Sequence, residues 1–362
     1  MSPFDDLLAQ AHAALRTVDG VTTASWGDIT LSSHYQPIFS LSHGRVVGHE
    51  ALMRARHEDG APLSPPEVFA RCADRRALGA CDRLSRLVHV HNIDPGRLRD
   101  HWLFLNVHST VLSDSVSGDF AATLAAYSAY GYTRPEQVVL EILEGAIHSD
   151  DRLDEAVRRI KQAGFLVAID DFGAGHSNFE RVWRLNPDIV KLDRTLTTRS
   201  TQSPRNQRMI AQMVSLLHEC GALVLMEGVE TEEEALVAFD SDVDLVQGYY
   251  FGRPAAKPVP NGHAPDALKR LYGDFQAFHR EKSRVYRESV APYINGLGYA
   301  ATLLSAGRCM NEACQSFLSL PYADMCYLLD ADGRQFGEVV RSQRASGIDA
   351  PAYAPLRDAD GA

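Results

Sequence analysis

Apolar positions recur along this chain in two rhythms that trade places. Residues 5–17 carry them at helical spacing and predict a leading helix within an N-terminal segment 1–23. HYQPIFSL (34–41) and RVVGHEALMR (45–54) are strand-like runs separated by Ser-His-Gly, a hairpin signal. Helical spacing over 65–92 then leads to WLFLNV (102–107), a helix near 115–130 to VVLEIL (138–143), and a helix near 150–163 to FLVAIDDFG (165–173). The alternation continues through a helix near 177–185, DIVKLD (188–193), a helix near 205–219, ALVLMEG (222–228), a helix near 231–240 and VDLVQGYYF (243–251). Eight strands with helices between them predict an α/β fold, a modified TIM (β/α)8 barrel made irregular by an antiparallel first strand in the opening hairpin.

The pattern changes after the last strand. GRPAAKPVPNG (252–262) is dense in proline and glycine and reads as a linker. Leu268, Leu271, Phe275 and Phe278 then repeat at three and four, an amphipathic helix running on towards 290. MCYLLDADGRQFGEVV (325–340) predicts two strands joined by an Asp-Gly turn, as in small α/β sensor folds. The expected organisation is a barrel over 24–257, a linker and connecting helix over 258–295, and a small, incomplete α/β region over 296–362.

Seven of the strand-like runs end in a side chain that binds metals or handles protons: Glu50, Asn106, Glu141, Asp170 with Asp171, Lys191, Glu227 and Gln247. In a barrel such ends converge on one mouth, whereas an open doubly wound sheet would gather ligands at one switch point. Any one of these acids alone reads equally as a barrel-end salt bridge or a helix cap; their recurrence on successive strand ends is what points to a site. The donors are all oxygens, which suits Mg²⁺ or Mn²⁺ rather than a thiolate or imidazole zinc centre. Adjacent side chains on a strand point to opposite faces, so Asp170 and Asp171 share a site only where the strand breaks. Phe172-Gly173-Ala174-Gly175 offers that break. Two divalent ions about 3.5–4 Å apart are the apparatus of in-line displacement at phosphorus, which makes phosphodiester hydrolysis the expected reaction class. Lys191 fits two roles, an amine depressed by nearby cations that accepts a proton from water, or an ion pair with one of the carboxylates. His89 and His91 are expected as solvated surface, and Glu232-Glu233-Glu234 as a helix first turn.

Composition narrows the partners. A formal net charge of −11 over 362 residues disfavours a duplex nucleic-acid binder, which needs a cationic footprint. Six cysteines without a CxxC pair read as structural thiols in a reducing compartment. The early acids exclude a signal peptide, and no apolar run reaches the roughly 18 residues of a membrane span. The expected location is cytoplasmic.

The chain resembles the EAL-domain family of cyclic di-GMP phosphodiesterases. The likeness rests on Glu50-Ala51-Leu52 in HEALMR, Asn106 in LNVHS, Glu141 and Glu144 in LEILE, DDFGAG at 170–175, Lys191 in VKLD, EGVE at 227–230 and QGYYFGRP at 247–254. Ala174, His49 and Met226 depart from the family's commoner threonine, aromatic residue and alanine without removing a ligand. The resemblance implies hydrolysis of cyclic di-GMP to linear pGpG with two Mg²⁺ or Mn²⁺ ions held by Glu50, Asn106, Glu141, Asp170, Asp171 and Glu227. It also implies that Lys191 positions or deprotonates the attacking water, that Gln247 closes the site, and that Glu144 holds the DDFG loop in register. Gln36, Leu52, Arg54, Gln247 and Pro254 match substrate-contacting positions, and a homodimer is implied, with the Leu268–Phe278 stripe as its apolar complement. Residues 296–362 are similar to PAS-like or Cache-like sensor modules, which implies regulation from that end. The alternative function is an inactive EAL domain acting as a cyclic di-GMP receptor; another metal-dependent barrel hydrolase is a third.

Overall fold

The computed structural model describes residues 13–93, 101–108, 111–112, 134–143, 151–175, 179–260, 266–332 and 334–345. The chain divides into two compact units, Met1–Phe275 and Gln276–Ala362. In the first, β1 (Leu15–Val18) and β2 (Val21–Trp26) form a hairpin leading into β3 (Ile29–Ser40) and β4 (Arg45–His57), with β5 (Pro62–Leu63) beside β4. β6 (Trp102–Asn106), β7 (Val138–Leu143), β8 (Leu166–Phe172), β9 (Ile189–Leu192), β10 (Leu223–Met226) and β11 (Leu245–Val246) follow. The hydrogen-bonded order β3-β11-β10-β9-β8-β7-β6-β4 returns to β3 through its pairing with β4, closing a barrel. β4 and β6 to β11 are parallel, while β3 is antiparallel to both of its barrel neighbours. This is the expected modified TIM barrel with an irregular first strand.

Helices α1 (Pro65–Ala70), α2 (Arg75–His91), α3 (Asp151–Gln162), α4 (Phe179–Leu185), α5 (Arg194–Ser200), α6 (Pro204–Glu219) and α7 (Glu232–Asp240) separate the strands. Several of their starts are fixed by side chains that satisfy otherwise unpaired N–H groups. Asp74 accepts from Ala77 N, Ser203 from Asn206 N, and Thr231 exchanges bonds with Glu234, placing the acidic run 232–234 in a first turn as expected. The helix expected near 115–130 lies outside the described residues.

Inside the barrel, Ile38, Phe104, Val139, Ala168, Ile189, Leu225 and Leu245 form one apolar layer, each from a different strand. β4 contributes Gly48 beside them, where an added Cβ would lie 3.1 Å from the Phe104 ring. Full burial of each large member stabilises by about 1.5–3 kcal/mol, so the barrel is filled rather than hollow at this level. A larger cluster between strands and helices includes Phe39, Leu105, Leu140, Ile169 and Val190. Among the described residues no helix is long and apolar enough to cross a membrane.

Three expectations are corrected. Residues 15–17 form a strand, not a helix, because Asp19 (φ 51°) and Gly20 (φ 74°) make a two-residue turn that suits a tight hairpin; residues 5–12 lie outside the described set. His89 is only 4% exposed: Asp82, Ser85, Arg86 and His89 form a polar stripe on α2 that faces inward. The His89 Nδ1 lies 2.7 Å from Ser33 Oγ, its Nε2 3.2 Å from Ser85 Oγ, and the Tyr35 hydroxyl donates to its carbonyl at 2.6 Å. His91 is half-buried. In the stripe 268–278, Leu271 is buried in the barrel unit's core and Phe275 packs on Phe239 at 4.8 Å between ring centroids, so neither stands free as a dimer face.

The His89 environment has a pH signature. Burial, then the Arg86 and Arg54 charges, push its pKa down from 6.5 to about 3. Below its ordinary pKa the unfolded state takes up a proton that the native state refuses; the stability is complete above about pH 6.5 and is lost as pH falls towards 3. This one group adds a slope of about 1.4 kcal/mol per pH unit between about pH 6 and 4. Urea unfolding of wild type and His89→Gln over that range should diverge by this slope, and parallel lines would refute it.

In the second unit, α8 (Asp266–Ser305), which begins in the first, is followed by α9 (Met310–Leu318) and the antiparallel pair β12 (Met325–Leu329) and β13 (Gln335–Arg341). The expected hairpin is present, and Asp330 Oδ1 accepts from Asp332 N at 2.9 Å and Arg334 N at 2.8 Å to shape its turn. Its small core holds Ala300, Cys314, Phe317, Leu318, Ala323 and Cys326.

Candidate active site

Side chains two residues apart on a strand share a face. One step beyond the interior apolar layer, towards the carboxyl ends, therefore lie Glu50, Asn106, Glu141, Asp170, Lys191, Glu227 and Gln247. On antiparallel β3 the step runs backwards, from Ile38 to Gln36, which stands in register with Glu50. The barrel thus turns a period of two into a ring.

The ring closes on Lys191, which is fully buried. Its Nζ lies 2.6 Å from Glu141, 2.7 Å from Glu227, 3.0 Å from Asp170 and 3.8 Å from Glu50. Glu50 is held from its other sides, accepting from Gln247 Nε2 at 2.7 Å and Asn106 Nδ2 at 3.1 Å. Asp171 joins by a strained route. It has φ 57°, a left-handed conformation that aspartate tolerates better than most residues, at a register shift between Ile169 and Phe172. The break expected at Phe172–Gly175 therefore falls one residue earlier, on the ligand itself. Carboxylate oxygens of Asp170, Asp171 and Glu227 come within 4.8 Å of one another.

Electrostatics follow from this crowding. Burial would push the Lys191 ammonium down, but Asp170, Glu141, Glu227 and Glu50 together hold it well above its ordinary range. The ion-pair reading of Lys191 therefore describes the metal-free site, multiplied from one carboxylate to four. Burial pushes the Glu141 carboxyl well up, against the opposing Lys191 charge. Burial also raises Glu227 to about 8, and burial with the Asp170 charge raises Asp171 to about 6. One lysine is too little counter-charge for so many buried acids.

A cavity of about 660 Å³ opens beside the ring, with Glu50, Leu52, Arg54, Asn106, Phe69 and Asp82 among its lining residues. Leu52 and Arg54 are half-buried there, Arg54 donating to the Met53 carbonyl at 2.9 Å. Gln36 and Pro254 do not line it. The Gln36 amide reaches Gly252 O at 3.4 Å, and Pro254 is half-buried next to Ala255, which pairs with Tyr35. Glu144 lies outside the described residues.

Residues 27–254 match the family described as EAL domain. The chain belongs to the EAL-domain family. It is 29% identical over 241 residues to a Pseudomonas aeruginosa protein named cyclic di-GMP phosphodiesterase RocR, covering 65% of this chain and 59% of RocR. Among solved structures it resembles Klebsiella pneumoniae BlrP1 in a manganese and cyclic di-GMP complex at pH 6, with TM-score 0.57, 29% identity, and coverage of 64% of this chain and 57% of that chain. It also resembles the EAL-domain protein YkuI of Bacillus subtilis in complex with cyclic di-GMP and calcium, with TM-score 0.71, 22% identity, and coverage of 98% and 85%. At that identity the YkuI likeness concerns the fold. The chain spans 28% to 59% of the length of the first curated relatives it matches.

Two residues outside the motifs also support the site: Asp82 and Arg86, a buried ion pair on α2. Asp82 accepts from His108 N at 3.3 Å and Arg86 donates to Asn106 O at 3.4 Å, so the pair clamps the backbone around Val107, directly after Asn106. Opposite charges at i and i+4 were their one trace in the sequence, a spacing that solvated helices use as well.

Proposed function

We propose that this EAL domain hydrolyses cyclic di-GMP to linear pGpG, using two divalent ions, Mg²⁺ or Mn²⁺, at the barrel mouth. The observation that carries this reading is the set of five carboxylates, Glu50, Glu141, Asp170, Asp171 and Glu227, converging around one lysine. Five negative charges against one positive leave a formal excess of four, which two divalent ions would offset. Hard oxygen donors, with the Glu141, Glu227 and Asp171 carboxyls pushed up by burial, fit that occupancy. Among the described residues the buried Glu141 carboxylate meets the Lys191 ammonium at 2.6 Å and accepts from no other donor, so it keeps lone pairs that suit a cation.

Glu50, Asn106, Glu141, Asp170, Asp171 and Glu227 would hold the ions, which when bound supply Lewis acidity at the phosphoryl oxygens and acidify a water. The chain's own residues do the rest. Asn106 and Gln247 fix the Glu50 carboxylate in one orientation. Lys191 stands with its amine against three of the acids, where it can orient a water or exchange a proton with it. Arg54 supplies a planar fork to a phosphate from the cavity wall, beside Leu52. RocR's name and the BlrP1 complex support the substrate.

The test is turnover run beside binding. Purified chain with Mg²⁺ or Mn²⁺ is expected to convert cyclic di-GMP to pGpG, chelation to stop it, and restored metal to recover it. Nucleotide binding without turnover at any metal concentration would make the protein a receptor instead.

A further inference from the structure

Asp170 and Asp171 come from β8 and Glu227 from the end of β10, strands separated by β9. No ladder joins the two ligand-bearing ends directly. Besides β9, whose Lys191 pairs with Asp170 and Glu227 and whose Leu192 carbonyl accepts from Glu227 N at 3.1 Å, α5 spans them, a helix that carries no candidate ligand. On one side its Leu196 lies over Gly173 (φ 100°), where an added Cβ would come within 2.2 Å of Leu196 Cδ1. On the other its Arg194 side chain covers Gly228, whose added Cβ would lie 2.5 Å from Arg194 Cγ, and Arg194 Nη2 pairs with Glu230 at 3.0 Å. Between these contacts the Thr197 hydroxyl, fully buried, donates to the Glu227 carbonyl at 2.5 Å. A helical threonine ordinarily turns its hydroxyl back onto its own helix; this one reaches a residue 30 positions away.

We propose that α5 is a brace between the two ligand-bearing turns, and that Thr197 is a positioning residue that sets the Glu227 carboxylate against Asp170 and Asp171. The inference rests on the divalent-ion reading above. Losing the hydroxyl leaves the Glu227 carbonyl without this donor and lets the turn drift, while the Leu196 contact still holds the aspartate side. The site then opens on one edge. Partners one step behind a ligand typically govern metal affinity by 10–100-fold.

The experiment is Mn²⁺ titration of the whole chain, following the free-ion electron paramagnetic resonance signal, for wild type, Thr197→Val, Thr197→Ser and Leu196→Ala. Thr197→Val keeps the shape and loses the donor; it is expected to bind Mn²⁺ on the order of tenfold more weakly, with Thr197→Ser near wild type. Leu196→Ala, which loosens the other side of the brace without touching the hydroxyl, is expected to weaken Mn²⁺ several-fold and serves if the valine variant does not fold. Binding by Thr197→Val within about twofold of wild type, or equal loss in the valine and serine variants, overturns the brace while leaving the metal site intact. A wild type that binds no Mn²⁺ overturns the metal reading, and this inference with it.

Discussion

Replacing Lys191 with methionine is expected to lower cyclic di-GMP turnover by roughly 10²–10⁴-fold, the range for loss of a positioned proton-handling group. The same substitution should destabilise the metal-free protein by on the order of 3–5 kcal/mol, because it strips the one cation from a ring of buried acids. Nζ lies within 3.0 Å of Glu141, Asp170 and Glu227, and no other described member of the ring carries positive charge. Without it, mutual repulsion is relieved only by taking up protons, so Lys191→Met should show its loss of stability most strongly at neutral and higher pH. Divalent metal should restore stability by supplying the missing charge, yet leave turnover low. That split separates the structural role of Lys191 from its chemical one. Urea unfolding with and without Mn²⁺, beside a turnover assay, measures both. Wild-type turnover in the variant, or unchanged metal-free stability, would remove the assignment.

The ring was legible because a barrel obeys a period of two. Given eight strand-like runs, the residue two positions past each interior apolar side chain must face the same cavity, and those positions hold the acids, the lysine and Gln247. What local pattern could not show was contact between residues distant in the chain. Arg86 bonds the carbonyl of Asn106, and Thr197 that of Glu227, across 20 and 30 residues; neither donor differs in sequence from an ordinary helical residue. His89 misled for a related reason, since a polar stripe on α2 normally marks solvent and here meets Ser33 and the end of β6. The hairpin at Asp19-Gly20 did carry its signal, a left-handed pair between strand-like residues, but helical spacing nearby obscured it. Asp171 is subtler. Its backbone turns left-handed within β8, before the glycine pair is reached, which is how neighbouring carboxylates reach one site.

Gly248→Ala is expected to be the most damaging single-methyl change in the barrel unit. The added Cβ would sit 2.0 Å from the Val229 carbonyl oxygen and 2.3 Å from its nitrogen, both backbone atoms of a fully buried residue. Neither can yield without cost. Val229 N donates to Gln247 O at 3.1 Å and Tyr250 N to Val229 O at 3.0 Å, so the methyl would wedge apart the two turns that those bonds lace together. Strain of this kind belongs with the large mutational effects, about 3 kcal/mol or more, which for a unit of this size lowers the unfolding midpoint by roughly 2–4 °C per kcal/mol. Gly27→Ala is the control. Unlike Gly248 it asks an alanine to take positive φ (59°), but nothing lies within 4 Å of its added Cβ, so its cost should stay near 1–2 kcal/mol, about that of the conformation alone. Activity should separate the two further. Gln247, which precedes Gly248, donates to Glu50 at 2.7 Å, and a displaced turn withdraws that donor from the carboxylate at the centre of the ring. The folded fraction of Gly248→Ala should therefore bind Mn²⁺ weakly and turn over slowly, whereas Gly27→Ala should match wild type in both. Equal unfolding midpoints for the two variants would show that the Val229 turn yields more readily than its hydrogen bonds imply.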